Sequence, residues 1–244
     1  MTCTLEVCVD NEHGLDAAIR GGADRIELCS ALPLGGLTPS VGLLRAAAQA
    51  PIPIYAMIRP RAGDFCFSSG EIRQMLHDID AVRQAGLAGV VLGATQRTSP
   101  HNYVLDQETL RQLIAHASDL NCSLHRAFDV LHDFTEGLDV AIALGFERIL
   151  TSGCTPTAMA GMFRLRELVQ RAQGRIEIMA GSGIRTDNVQ TIIRQTGVTA
   201  VHASCRGPRS EPVDPQLIEF GFCEAEPKET RISLVHQLAA LVHP

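Results

Sequence analysis

Lysine is almost missing from this chain: of the 21 basic residues among 244, 20 are arginine, and the single lysine, Lys228, lies near the C-terminus, away from every segment assigned below to the core. A Schiff-base mechanism needs a desolvated lysine amine in the site, so that chemistry is not expected. No run of 18 residues is both apolar and free of charge, which leaves no transmembrane span. The first ten residues lack a basic segment followed by an apolar one and read straight into a strand, so no secretory leader is expected and the compartment is the cytoplasm. No Cys-x-x-Cys pair occurs among the cysteines at 3, 8, 29, 66, 122, 154, 205 and 223. In a reducing compartment they need no bridges, and neither a structural disulfide nor a zinc ribbon is expected. Net basic charge is lacking too: a formal charge of −6 and a pI near 5.8 argue against a nucleic-acid partner.

What is present is a repeat. Gly22-Ala-Asp-Arg-Ile26, Gly86-Leu-Ala-Gly-Val90, Gly145-Phe-Glu-Arg-Ile149 and Gly197-Val-Thr-Ala-Val201 all read Gly-x-x-x-[Ile/Val], at steps of 64, 59 and 52 residues. Each glycine ends a helical pattern where a left-handed cap fits, and a β-branched run follows it. One further strand-like run lies between successive copies and one precedes the first, giving eight strands that begin near residues 4, 24, 53, 88, 121, 147, 176 and 199. Gaps of 20 to 35 residues each hold one helix and two loops, as in Ser69 to Ala85 and Asp106 to Asp119. Strict alternation of this kind predicts a closed (β/α)8 barrel over residues 1–244, an α/β TIM barrel. An open doubly wound sheet is less apt, because no Gly-x-Gly-x-x-Gly follows the first strand. Residues 207–228 read as an irregular loop before a final helix from Glu229 to Val242.

Side chains alternate across a strand, which sorts polar from apolar groups. Glu6 and Cys8 share a face against Leu5, Val7 and Val9. Arg25, Glu27 and Cys29 share another, and Tyr55, Met57 and Arg59 a third. The later strands offer Ser123 and His125, then Thr151, then Met179 and Gly181, then His202 and Ser204. A structural barrel interior is filled mainly by Val, Ile and Leu. Glu6, Glu27, Arg59, His125 and His202 are therefore candidate functional groups at the C-terminal mouth, with Glu–Arg pairing between strands as the structural explanation, above all for Arg25. The carboxylates and histidines suit acid–base catalysis.

Loops at the same end add anion-binding candidates. Met57-Ile-Arg-Pro-Arg-Ala-Gly-Asp64 carries Arg59 and Arg61, suited to bidentate capture of a carboxylate or phosphate. Gly181-Ser-Gly-Ile184 is expected to open a helix and hold an anion on the N–H groups around Gly181 and Gly183, with Arg206 completing the site.

Seven ordered segments then carry a resemblance: Leu5-Glu-Val-Cys-Val-Asp10, Gly21-Gly-Ala-Asp-Arg-Ile-Glu-Leu-Cys-Ser30, Gly35-Gly-Leu-Thr-Pro-Ser40, Met57-Ile-Arg-Pro-Arg61, Gly63-Asp-Phe65, His125-Arg-Ala-Phe-Asp129 and Leu150-Thr-Ser-Gly153. Together they resemble the CutC family, named for copper homeostasis, from about residue 4 to about residue 207. The resemblance implies a (β/α)8 barrel, a cytoplasmic homo-oligomer of two or more copies, and Cu(I) held by Cys8 and Cys29; no organic cofactor is expected. After the seventh strand Ala180-Gly-Ser-Gly183 departs from the family's Pro-Gly-Gly-Gly, and around the eighth Val201-His-Ala-Ser-Cys-Arg206 keeps His202 and Arg206.

Copper binding has no use for two glutamates, two histidines and several arginines. The competing reading is an enzyme, with Glu6 or Glu27 and His125 moving protons on a small anion such as a phosphosugar, held by arginines and the Gly181 loop. A divalent-metal site at Glu6, Glu27 and a histidine is the third.

Overall fold

The repeat is realised as alternating strands and helices, each helix returning the chain so that the next strand runs parallel to the last. We describe residues 3–243 of a computed structural model; Met1, Thr2 and Pro244, the ends of the expected barrel unit, lie outside the described residues. The strands are β1 (Thr4–Val9), β2 (Arg25–Leu28), β3 (Ile54–Met57), β4 (Gly89–Leu92), β5 (Thr95–Ser99), β6 (Asn102–Leu105), β7 (Asn121–Leu124), β8 (Arg148–Thr151), β9 (Glu177–Ala180), β10 (Ala200–Ala203), β11 (Arg206–Pro208) and β12 (Lys228–Thr230). The helices are α1 (Glu12–Gly21), α2 (Val41–Ala47), α3 (Ser69–Gln84), α4 (Gln107–His116), α5 (Phe134–Leu144), α6 (Met162–Ala172), α7 (Val189–Thr196), α8 (Pro215–Glu219) and α9 (Ile232–Val242). Eight strands close into one parallel barrel in the order β1-β10-β9-β8-β7-β4-β3-β2, the (β/α)8 architecture.

Local chemistry sets the boundaries. Gly22, Gly145 and Gly197 end α1, α5 and α7 at φ of 94°, 84° and 76°, a left-handed conformation that a side chain would strain. Ser68 and Glu71 form a reciprocal capping box that starts α3. The outward apolar residues Leu5, Val7, Val9, Ile26, Leu28, Ile149 and Val201 pack with the helices in one continuous core.

The interior of the barrel is polar at its N-terminal end. Arg25 Nε donates to Glu6 Oε2 at 2.5 Å, and its Nη2 lies 3.4 Å from Glu177 Oε2. Arg148 Nε meets the same Glu177 oxygen at 3.3 Å, while its Nη1 donates to Ser123 Oγ at 2.8 Å and its guanidinium covers the Tyr55 ring. Arg148 and Leu150 thus take the inward places on β8. Thr151, expected inward, faces the other way and bonds Asp129 Oδ1 at 2.5 Å, because the parity of β8 is set by Arg148 at its start.

Residues 207–228 differ from the expected irregular loop. β11 and β12 pair as an antiparallel ribbon, Arg206 opposite Thr230, and α8 lies between them; the ribbon delays the last helix to Ile232. Among the described residues no helix is long and apolar enough to cross a membrane.

Helix α9 closes the ring against α1, and the approach is tight at Gly21, where a Cβ would stand 2.5 Å from Val235 Cβ. Gly21→Ala is expected to cost about 1–3 kcal/mol through overpacking, read as a lower urea midpoint with an unchanged slope.

Candidate functional site

At the C-terminal ends of the strands the barrel opens into a cavity of about 770 Å³. Its floor is built by neighbouring strands: β1 pairs with β10 in a register that sets Glu6 beside His202, and with β2 in one that sets Cys8 beside Glu27. His202 Nδ1 lies 2.8 Å from Glu6 Oε1, and its Nε2 lies 3.8 Å from Glu27 Oε2. The chain Arg25–Glu6–His202–Glu27 therefore runs from the barrel interior to the cavity. Glu6 is itself below the cavity surface, 1% exposed and held from both sides by Arg25 and His202.

Burial sets the protonation of these groups against their neighbours. For Glu6 burial alone would raise the pKa, but His202 and Arg25 hold it down to about 2. Burial and the nearby Glu6 charge raise the Glu27 pKa, with His202 opposing. His202 is raised well above its ordinary value: burial opposes its charge, and Cys8, Glu27 and Glu6 outweigh that. One Glu27 oxygen, Oε1, is buried with no partner.

Donor atoms of Cys8, Glu27 and His202 all lie within 4.8 Å of one another, the one such group among the described residues. Cys29 stands beside this group. Its Sγ donates to Glu27 Oε2 at 3.5 Å, it is fully buried outside the cavity lining, and burial with the Glu27 charge pushes its thiol well up. The seal is the Gly35-Gly36 turn, where a Cβ on Gly36 would come within 2.9 Å of the sulfur. All eight cysteines are free thiols.

The opposite wall carries Arg59, Phe65 and His125. His125 follows β7, and its Nδ1 accepts the Ala127 N–H at 3.1 Å, capping the short 3-10 turn Arg126–Val130. Space for the ring comes from Gly93, where a Cβ would stand 2.6 Å from His125 Cε1. Burial and the Arg59 charge hold His125 down to about 3, which favours the neutral imidazole at physiological pH.

The two expected arginines separate. Arg59 Nη1 donates to Leu34 O at 2.9 Å and Gly36 O at 3.1 Å, and Nη2 to Gly63 O at 3.0 Å, which leaves no fork for bidentate capture. Arg61 is outside the cavity lining; Glu71, Asp64 and the Cys66 carbonyl occupy its guanidinium, which staples the loop to the start of α3. Arg206 does reach the cavity, anchored through Nε to Lys228 O at 3.0 Å.

Gly183 lines the cavity in the left-handed region at φ 75°, whereas Gly181 sits behind the lining with its N–H on Thr151 O at 3.0 Å. The expected helix at residue 184 begins only at Val189. Asn188 accepts the Arg185 N–H and donates to Gly183 O, closing the segment as a turn.

Sequence reasoning missed Arg126, Arg185, Phe65 and Lys228, all in the lining. Arg126 and Phe65 stand within or beside quoted motifs, so proximity to His125 and Arg59 was an available signal. Lys228 was placed away from the site; the β11–β12 ribbon folds it over the mouth, where it remains exposed rather than desolvated.

The shifted groups make acid stability specific. His125 binds its proton in the unfolded chain near its ordinary 6.5 and in the native state only near 3, so stability is lost as pH falls between those values. Glu6 adds a second loss from 4.5 to about 2, because its native carboxylate is the favoured form. At about 1.4 kcal/mol per pKa unit the two losses amount to several kcal/mol. His125→Asn, which keeps an acceptor for the Ala127 N–H, is expected to move the midpoint of acid unfolding to lower pH, followed by circular dichroism.

The sequence signature of the CutC family matches residues 3–207. A CutC-family protein of Rhizobium meliloti (strain 1021) is 49% identical over 238 residues, 97% of this chain and 95% of the relative. One of Caulobacter vibrioides (strain NA1000 / CB15N) is 52% identical over 228 residues, 93% and 91%. Among solved structures, a protein of Streptococcus agalactiae bearing the name copper homeostasis protein CutC superposes with a TM-score of 0.77 at 34% identity, covering 83% of this chain and 98% of its own. The match spans most of the chain and includes Glu6, Cys8, Glu27, Cys29, His125 and His202: the chain belongs to the CutC family.

Proposed function

We propose that the protein is a barrel enzyme that binds a small, phosphorylated anion in the mouth cavity and moves a proton on it with Glu27 and His202. The observation that carries this reading is the charge of the lining. Arg59, Arg126, Arg185, Arg206 and Lys228 face Glu27 as the one carboxylate among the lining residues, although the whole chain has a net charge of −6. Such a cavity concentrates anions against the field of the rest of the molecule. Arg206, Arg185 and the Ser182-Gly183 turn lie after the last two barrel strands, where phosphate groups are held in this fold. Glu27 has a free oxygen, and burial raises its pKa above the ordinary carboxylate range, which suits a group that takes and returns a proton. His202, oriented by Glu6, supplies the opposite charge beside it. Free cysteines suit a reducing cytoplasm, and the exposed Leu217, Phe220 and Phe222 around α8 are the apolar surface on which a homo-oligomeric contact would form.

A panel of phosphorylated aldehydes, ketones and sugars incubated with the protein in D2O tests it. One compound should exchange a carbon-bound proton with wild type, and Glu27→Gln should slow that exchange by at least 100-fold. A silent panel together with no binding of inorganic phosphate would sink the reading.

A second reading, metal binding, is favoured by the convergence of Cys8, Glu27 and His202. One thiolate, one imidazole and one carboxylate suit a borderline divalent ion such as Zn²⁺. Cu(I), to which the relatives' names point, calls for softer donors, and Cys29 would have to lose its proton and its seal to become the second thiolate. In an anaerobic competition titration, copper held by both sulfurs requires that Cys8→Ser and Cys29→Ser each weaken Cu(I) by orders of magnitude. Loss with Cys8→Ser alone would assign the ion to the mixed group.

A further inference from the structure

Buried polar atoms without partners are few among the described residues, and three of the four belong to the cavity: Glu27 Oε1, Arg59 Nε and His125 Nε2. An unpaired buried donor or acceptor costs about 1–3 kcal/mol, so two donors left open on adjoining side chains call for an acceptor that comes and goes. Arg59 and His125 are that pair, 6% and 3% exposed.

Their chemistry is fixed by the bonds already made. Both Nη atoms of Arg59 are committed to the carbonyls of Leu34, Gly36 and Gly63, and no carboxylate pairs with this guanidinium among the described residues, so its Nε–H is the remaining donor. His125 Nδ1 accepts from Ala127, which in the neutral ring puts the proton on Nε2 and makes that atom a donor as well. Two N–H groups beside a positive charge select an oxygen that carries negative charge, and they exclude a metal ion.

The Phe65 ring covers both. It lies 5.0 Å from Arg59 Cζ and 4.9 Å, centroid to centroid, from the His125 ring. Its carbonyl accepts the Thr95 N–H at 2.8 Å, which anchors the loop that carries the ring. We infer that Arg59 Nε–H and His125 Nε2–H form a subsite for one carboxylate or carbonyl oxygen of the substrate, stoppered by the Phe65 ring until that oxygen enters. The inference rests on the anionic-substrate reading above: the phosphate binds on the Arg206 side, and the oxygen held here belongs to the carbon skeleton on which Glu27 acts.

Inorganic phosphate and 2-phosphoglycolate, which adds one carboxylate to a phosphate, separate the two subsites in calorimetric titrations of the full chain. Wild type should bind 2-phosphoglycolate at least tenfold more tightly than phosphate. His125→Asn should abolish that preference and leave phosphate affinity unchanged, and Phe65→Ala should tighten 2-phosphoglycolate severalfold while phosphate is unaffected. Nitrogen-15 spectra of wild type give a readout independent of the variants: the His125 Nε2 resonance should move on adding 2-phosphoglycolate and stay in place with phosphate. A preference that survives His125→Asn, or a stationary Nε2 signal, overturns the inference. Phosphate binding without a carboxylate preference overturns this inference alone, whereas failure of both ligands to bind overturns the anionic-substrate reading with it.

Discussion

The carboxylate of Glu6 is the hinge of the electrostatics in this barrel. It is all but sealed from water, yet it remains ionised because Arg25 takes one oxygen at 2.5 Å and His202 the other at 2.8 Å. Isolated, a buried charge of this kind would cost several kcal/mol; shared between two cations, it lets polar groups occupy an interior that apolar side chains would otherwise fill. Below it, Arg25 passes charge on to Glu177 and Arg148. Above it, His202 is fixed in direction and held positive beside Glu27.

The cavity over this chain has two walls of opposite chemical character, and its two histidines report the difference. His202 sits among carboxylates and a thiol and is driven toward the charged form, while His125, boxed in by Phe65, Gly93 and the Arg59 guanidinium, is driven toward the neutral form. Environments that push like residues apart in this way are how one site assigns different tasks to them. The same contrast separates the two inward cysteines: Cys8 faces the cavity and Cys29 is shut behind the Gly35-Gly36 turn.

Much of this was legible in the order of residues, for reasons of periodicity. A strand turns alternate side chains to one face, so Glu6 with Cys8, Glu27 with Cys29, and Tyr55 with Met57 sorted themselves without any tertiary information. The rule failed where its phase was taken from the wrong residue, as on β8, and it said nothing about loops. Arg61 reads like Arg59 in sequence and has a wholly different fate, because Glu71 at the first turn of α3 is there to claim it. Lys228 and Arg126 came to the mouth by a ribbon and a 3-10 turn that no hydrophobic pattern announces.

The chain by itself therefore determined the eight barrel strands, the barrel, the family and most of the polar set that those strands turn inward, since these follow from local spacing and from the residues the strands carry. Only the tertiary structure decided which of those polar groups meet, which carbonyls disarm Arg59, which sulfur is sealed, and which imidazole is charged. Those outcomes depend on distances between strands and loops far apart in sequence, and on how much water remains around each group once they come together.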